Sequence, residues 1–334
     1  MRLPRWLVAP PPSVGLEIAE DRVTAVAVSR TDTSTTITAH AVVPLADGLV
    51  RPALATPNIE DRDTVARAVG EALAASGRPR RVALVVPDAA TKVSLLRLEQ
   101  VPSRSEDFDQ LVRWQMKKTA PFPIEEAQVS VTRGVSLAEG GAEFVVTLIR
   151  RDIVSEYEAV CRQAGAHAGI VDMATFNLVN LVLLTERSIA APSADGPPEQ
   201  PLAPASAVVG LRDWMLVNMS PSSTSIAIVR GADLIFFRNR PIERGDDLAD
   251  HVHQSRMYYE DRLGGEGLAR VFLTGAVDRN RLVSALRDVE SRLERRIEPL
   301  DVRKAAALPD RIMVAPELVG ALAAPVGLVL REAA

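Results

Sequence analysis

Val14-Gly-Leu-Glu-Ile-Ala-Glu-Asp-Arg-Val-Thr-Ala-Val-Ala-Val28 and Met215-Leu-Val-Asn-Met-Ser-Pro-Ser-Ser-Thr-Ser-Ile-Ala-Ile-Val229 share one pattern, about two hundred residues apart. In each, alternating apolar residues stop at a short polar turn and then resume. That is the period-two signature of two paired strands. A hairpin that occurs twice in one chain implies a duplicated core.

The 334 residues are too many for one simple core and suggest two domains of ordinary size. Hydrophobic residues make up 47% and charged residues 25%, a globular balance, and the formal net charge of −4 gives no general attraction to nucleic acid or anionic lipid. Cys161 is the single cysteine, so no internal disulfide forms; its setting on an apolar helix face reads as a small core residue. No stretch reaches the ~18 apolar residues that cross a bilayer. The opening Met1–Pro12, with Arg2, Arg5 and a proline-broken apolar patch, reads as a loose arm.

Outward from the first hairpin, Thr36–Val43 reads as a third strand, Asp61–Ser76 as a helix closed by Gly77, and Val82–Val86 as a buried strand stopped by Pro87. A compact unit follows. Lys92–Leu98 is a strand, and Ser103-Arg-Ser-Glu106 matches a capping box opening a helix. Two strands near 128–133 and 143–150 turn at Gly140-Gly141, and a helix runs from Asp152 to Gln163. Ile170–Asp172 reads as a return strand and Ala174–Leu184 as a buried helix. Residues 188–206, with five prolines and no periodicity, read as a linker. After the second hairpin come a strand from Asp233, a helix from Asp246 to Leu263, the strand Val271–Thr274 and an amphipathic helix Arg281–Arg296. The class is α/β.

Several fragments resemble PilM, the actin-like protein of type IV pilus assembly. Arg113-Trp114 followed by Ala120-Pro-Phe-Pro-Ile-Glu-Glu126 resembles the family's helix-then-proline segment, Ser222–Val229 its second phosphate hairpin, and Pro241-Ile242 with Gly245 the entry to the next helix. The resemblance implies an actin-like (ribonuclease H-like) two-domain fold: residues 13–187, with an inserted α+β subdomain at about 90–166, then the 188–206 linker and a second domain at 207–334. It further implies a cytoplasmic protein held peripherally at the inner membrane by a PilN-type membrane protein, whose N-terminal segment it grips beside the insert. Val93, Leu95, Trp114, Phe122 and Ile124 are the candidates for that contact.

The same resemblance places a nucleotide cleft between the hairpins, lined by Glu17, Ala19, Asn218, Ser220, Ser222, Ser223, Thr224 and Gly275. Phosphate turns work through glycine backbone N–H groups and a cation. Here Glu17-Ile-Ala-Glu-Asp-Arg22 stands at the family's Asp-Ile-Gly turn and brings two carboxylates to where phosphate oxygens would lie, Asn218 replaces the family's magnesium-side aspartate, Ser220 replaces a glycine, and Pro221 removes a donor. Leu273-Thr-Gly-Ala276 keeps one glycine of the adenine-side pair. Two like charges about 4 Å apart repel by roughly 4 kcal/mol at an effective dielectric near 20. The expectation is a non-catalytic adaptor with no cofactor. Its alternatives are a relative that still binds or hydrolyses Mg-ATP as a switch, and the actin-like component of a type II secretion system. A sugar or acetate kinase of this fold would need intact phosphate turns and a catalytic base, and neither is found.

His251 and His253, two apart on a helix, point in divergent directions and read as solvated residues rather than metal ligands. Asp246 and Asp247 read as a helix cap rather than an acid/base pair. Arg292, Arg295 and Arg296, offset by Glu290, Glu294 and Glu298, read as a solvated face.

Overall fold

The computed structural model describes residues 11–31, 34–137, 140–190, 212–243, 245–275, 277–308 and 315–332. Most of the opening arm therefore lies outside the described residues, as does 191–206 of the linker, while 188–190 continue the preceding helix.

Strands β1 (Val14–Ile18), β2 (Arg22–Arg30) and β3 (Thr35–Pro44) form an antiparallel meander, and β4 (Arg81–Val86) and β8 (His167–Met173) extend it in parallel, in the order β3-β2-β1-β4-β8. Strands β9 (Trp214–Met219), β10 (Ser223–Arg230), β11 (Asp233–Pro241), β12 (Arg270–Gly275) and β13 (Glu298–Pro299) repeat that order as β11-β10-β9-β12-β13. The repeat is exact in register. Glu17 faces Thr24 as Asn218 faces Ser225, both pairs offset by 201 in number (218 − 17 and 225 − 24). The bulges at Ala27/Val28 and Ile228/Val229 keep the same offset. This is the duplicated actin-like plan.

Helices α1 (Arg62–Ala75) and α3 (Arg151–Gln163) cover the outer face of the first sheet, and α5 (Leu248–Arg262) and α6 (Arg279–Leu293) cover that of the second. Between the sheets lie α4 (Ala174–Ala190) and α7 (Pro316–Glu332), whose Leu178, Leu181, Leu322 and Val326 join Val26, Val85, Leu216 and Phe272 in one core. The sheets can approach these helices because small residues meet there. A Cβ at Gly15 would fall 2.4 Å from the Pro325 carbonyl oxygen, and one at Gly327 would fall 2.1 Å from that of Asn177. Asn180 Nδ2 donates to the Gly327 carbonyl at 2.8 Å, and Arg331 pairs with Asp172.

Strands β5 (Lys92–Leu98), β6 (Ala127–Ser136) and β7 (Ala142–Arg150) form a separate sheet, order β5-β7-β6, with α2 (Ser105–Met116) on one face. Three expectations change. The α3 helix, counted with the insert to 166, packs through Ile153, Tyr157, Val160 and Cys161 on the first sheet, because its apolar stripe matches that sheet's outer face. The α7 helix, counted with the second domain at 207–334, packs on β1, β2 and β4 as well as on β12. The capping box fails: α2 starts at Ser105, and Arg104 at its N-cap makes no side-chain bond.

A side chain at the α4–α7 crossing would force two backbones apart. Gly327→Ala is expected to cost about 1–3 kcal/mol in urea unfolding; an unchanged midpoint would contradict this packing.

Candidate functional site

The two hairpin turns do face each other. Each closes on itself at the same repeat position: Ala19 N donates to the Arg22 carbonyl and Ser220 N to the Ser223 carbonyl, both at 2.9 Å. These backbone donors are thus committed within their turns. Ser220 Oγ contacts Ser223 Oγ at 2.9 Å and accepts from Ser223 N at 3.1 Å. Asn239 of β11 donates to Ser223 Oγ and Ser225 Oγ at 3.2 and 2.9 Å. Ser223, Thr224 and Ser225 are buried. The Ser220 and Ser223 hydroxyls therefore belong to the hairpin's own bonding, and Thr224 faces a trough between α5 and α6.

The centre of the junction is Asp88, in the short turn after β4. Its carboxylate accepts from Thr175 N at 2.9 Å, from Thr175 Oγ1, from Asn218 Nδ2 at 3.2 Å and from Ser225 Oγ at 2.6 Å. Thr175 opens α4 in the first half; Asn218 and Ser225 belong to the second. Ser220 Oγ also reaches Glu20 Oε1 at 3.4 Å. Sequence reading missed Asp88, which lies outside both hairpins; its one signal is an acid directly after the strand-ending Pro87.

Between the turns an outer hollow of about 490 Å³, lined among others by Glu20, Asp21, Pro221 and Ser222, opens to solvent, and beside it lies an inner cavity of about 40 Å³, lined among others by Glu17, Ala19, Glu20, Asp88, Asn218 and Ser220. The inner cavity has room for about three waters, an order of magnitude below the few hundred Å³ of a typical small-molecule pocket. Glu17 is buried, 4.0 Å from Arg22, which is itself held by Asp21 at 2.7 Å. Burial pushes the Glu17 carboxyl up to about 7; Arg22 works against this, and Asp21 and Asp88 add to it. Ser222 lies in the open mouth with Asp21, Asp47 and Arg51. Gly275 sits apart: a Cβ there would fall 2.6 Å from the Met219 carbonyl oxygen, so β12 needs glycine to lie close to β9. A hollow of about 1150 Å³ is the open α5–α6 trough on the second half.

The partner candidates divide. Trp114 is 57% exposed on the outer side of α2, with Lys118 Nζ 4.7 Å from its ring centre. Leu96 and Leu98 point to α2, so by strand alternation Val93 and Leu95 point to the opposite face. Phe122 and Ile124 are buried in the insert's core, with Leu98, Val112 and Phe144. These five residues do not line one groove.

Asp247 caps α5 by accepting from Ala249 N at 2.8 Å, and Asp246 accepts from Glu243 N. Among the described residues no group of three His, Cys, Asp or Glu could hold a metal ion, and no helix is long and apolar enough to cross a membrane. Burial pushes the Cys161 thiol up to about 12.

A family model described as type IV pilus assembly protein PilM matches residues 15–260. The chain belongs to the PilM family. No curated protein matches it in sequence. Among solved structures, this PilM-family chain is similar to the PilM–PilN type IV pilus biogenesis complex, at 19% identity and a TM-score of 0.77, covering 97% of this chain and 100% of the other. It is also similar to a Bacteroides thetaiotaomicron protein of actin-like ATPase fold and unknown function, at 9% identity and a TM-score of 0.50, covering 86% and 90%. The cytoplasmic domain of EpsL, an inner membrane component of the type II secretion system of Vibrio cholerae, stands further off, at 8% identity and a TM-score of 0.46, covering 96% and 93%. Both stronger likenesses confirm the actin-like fold.

Two predictions follow from burial. A free glutamate releases its proton near 4.5, whereas folded Glu17 holds it to about 7. Protonated Glu17 thus favours folding at low pH, and that contribution is lost as pH rises from about 5 to beyond 7. At 1.4 kcal/mol per tenfold, the loss approaches about 3 kcal/mol. The stability gain of Glu17→Gln over wild type in urea should grow from near zero at pH 5 to that order at pH 8; a gain independent of pH would count against a buried acid. Separately, Phe122→Ala should destabilise the insert by about 3–5 kcal/mol, read by protease susceptibility of 92–150, whereas Trp114→Ala should leave that susceptibility unchanged.

Proposed function

We propose that this PilM-family protein serves type IV pilus assembly as a non-catalytic adaptor, its two halves forming a fixed body that grips a partner. The observation that carries the reading is the interdomain junction. Ala19 N and Ser220 N are bonded within their turns, the inner cavity is about 40 Å³, and its lining brings Glu17, Glu20 and Asp88 to the place where an anion would have to enter. A triphosphate there would meet the carboxylates of Glu20 and Asp88, while Arg22 beside them is already paired to Asp21. No cofactor is needed for such a body to act.

The partner proposed is the cytoplasmic N-terminal segment of a PilN-type inner-membrane protein. Support comes from family membership and from the fold shared with a PilM that was solved together with PilN. The insert supplies two kinds of surface suited to an extended segment: the free edge of β6 and exposed apolar side chains, Leu95 on β5 and Trp114 on α2. Phe122 and Ile124 contribute by holding the insert's core, not by touching the segment. Held this way, the protein would sit in the cytoplasm, peripheral to the inner membrane through its partner.

Calorimetric titration with Mg-ATP is expected to give no heat of binding up to millimolar nucleotide; low-micromolar binding would overturn the non-catalytic reading and favour the switch. In pull-downs with a PilN-type N-terminal peptide, Leu95→Asp or Trp114→Asp should lower capture at least tenfold, and whichever residue leaves capture unchanged is removed from the contact. Capture unaffected by both would contradict the placement on the insert.

A further inference from the structure

We infer that Asp88 is a built-in anion that latches the two halves of the molecule, occupying with its own carboxylate the donors that would otherwise be presented to an anion from solution. Four hydrogen bonds converge on it from both halves. Thr175 N and Oγ1 come from the start of α4, Asn218 Nδ2 from the end of β9 and Ser225 Oγ from β10. Asn218 Nδ2 also reaches Thr175 Oγ1 at 3.1 Å, so this one amide bonds twice into the first half. Asp88, Thr175 and Ser225 are all buried. A carboxylate is costly to bury unless several donors satisfy it, and charge-assisted bonds are the stronger kind. Those donors come from opposite halves, so separating the halves would strand the carboxylate with only its Thr175 bonds. Breaking one side of such a buried set costs far more than one ordinary hydrogen bond contributes.

The identity of residue 218 follows from the latch. An amide there donates to Asp88; a carboxylate would place a second negative charge about 3.2 Å away. The hairpin serines extend the set: Ser225 is bonded by Asn239, which also holds Ser223, and Ser223 contacts Ser220, which reaches Glu20 of the first half. One connected network thus leaves the first half at Asp88 and returns to it at Glu20.

The latch is independent of which partner the protein grips: loss of peptide capture would leave it standing, and failure of the latch would leave peptide capture standing. Amide hydrogen exchange on the full chain, without nucleotide, tests it. Asn218→Asp should raise exchange at least tenfold in both 218–225 and 174–178, segments from opposite halves. Adding Asp88→Asn to that variant removes one of the two facing charges and should restore part of the protection in both. If Asn218→Asp does not fold, Asn218→Ala, which only deletes a donor, should show the same paired rise at smaller amplitude. A rise confined to 218–225, no rise in either segment, or a double variant no better protected than its single parent would overturn the latch.

Discussion

The structure turns on a buried carboxylate that both halves must share. A duplicated fold places two similar hairpins opposite one another, and each brings polar groups to the same small space. An acceptor has to sit among those donors, or they go unsatisfied. Here the protein supplies it from the turn after β4, as Asp88, and the remaining parts conform to that choice. Asn218 donates where an acid would repel, Ser225 donates from the paired position across the strand, and Thr175 supplies both its backbone and its hydroxyl at the start of α4.

The middle layer makes such close sharing possible. Helices α4 and α7 touch through Gly327, and Gly15 of β1 lies against Pro325, so the sheets close down on the pair without side chains to hold them apart. The core between the sheets is continuous from Val26 and Val85 to Leu216 and Phe272. A continuous apolar core resists hinge motion because its close-packed side chains cannot slide past one another gradually. The insert adds a further tie: β11 of the second half lies against β5, β6 and the turn that carries Asp88. Packing and polar bonding thus favour the same closed arrangement.

Much of this was legible in the sequence, and the exceptions have physical causes. Strict alternation marked both hairpins, and their constant offset of 201 is the duplication in its simplest form. The altered turn chemistry at Glu17, Ala19, Asn218 and Pro221 was visible residue by residue. The α7 helix was not read, because Gly320, Pro325 and Gly327 look like helix breakers; tertiary packing on α4 outweighs their low helix propensity. Asp88 was invisible for another reason: its partners lie 87, 130 and 137 residues away, and no local pattern reports such distances. Phe122 and Ile124 were candidates for partner contact through the family resemblance, yet the small three-stranded sheet under one helix takes both into its own core.

The most direct measurement is the distance across the junction in solution. Spin labels at Asp47→Cys in the first half and Arg287→Cys in the second, both exposed positions, would report it while Cys161 stays buried. One narrow distance distribution is expected, the same with and without saturating Mg-ATP. A distribution that broadens without nucleotide, or shifts by several ångströms when it is added, would show that the halves move about an open cleft and would contradict the sealed junction.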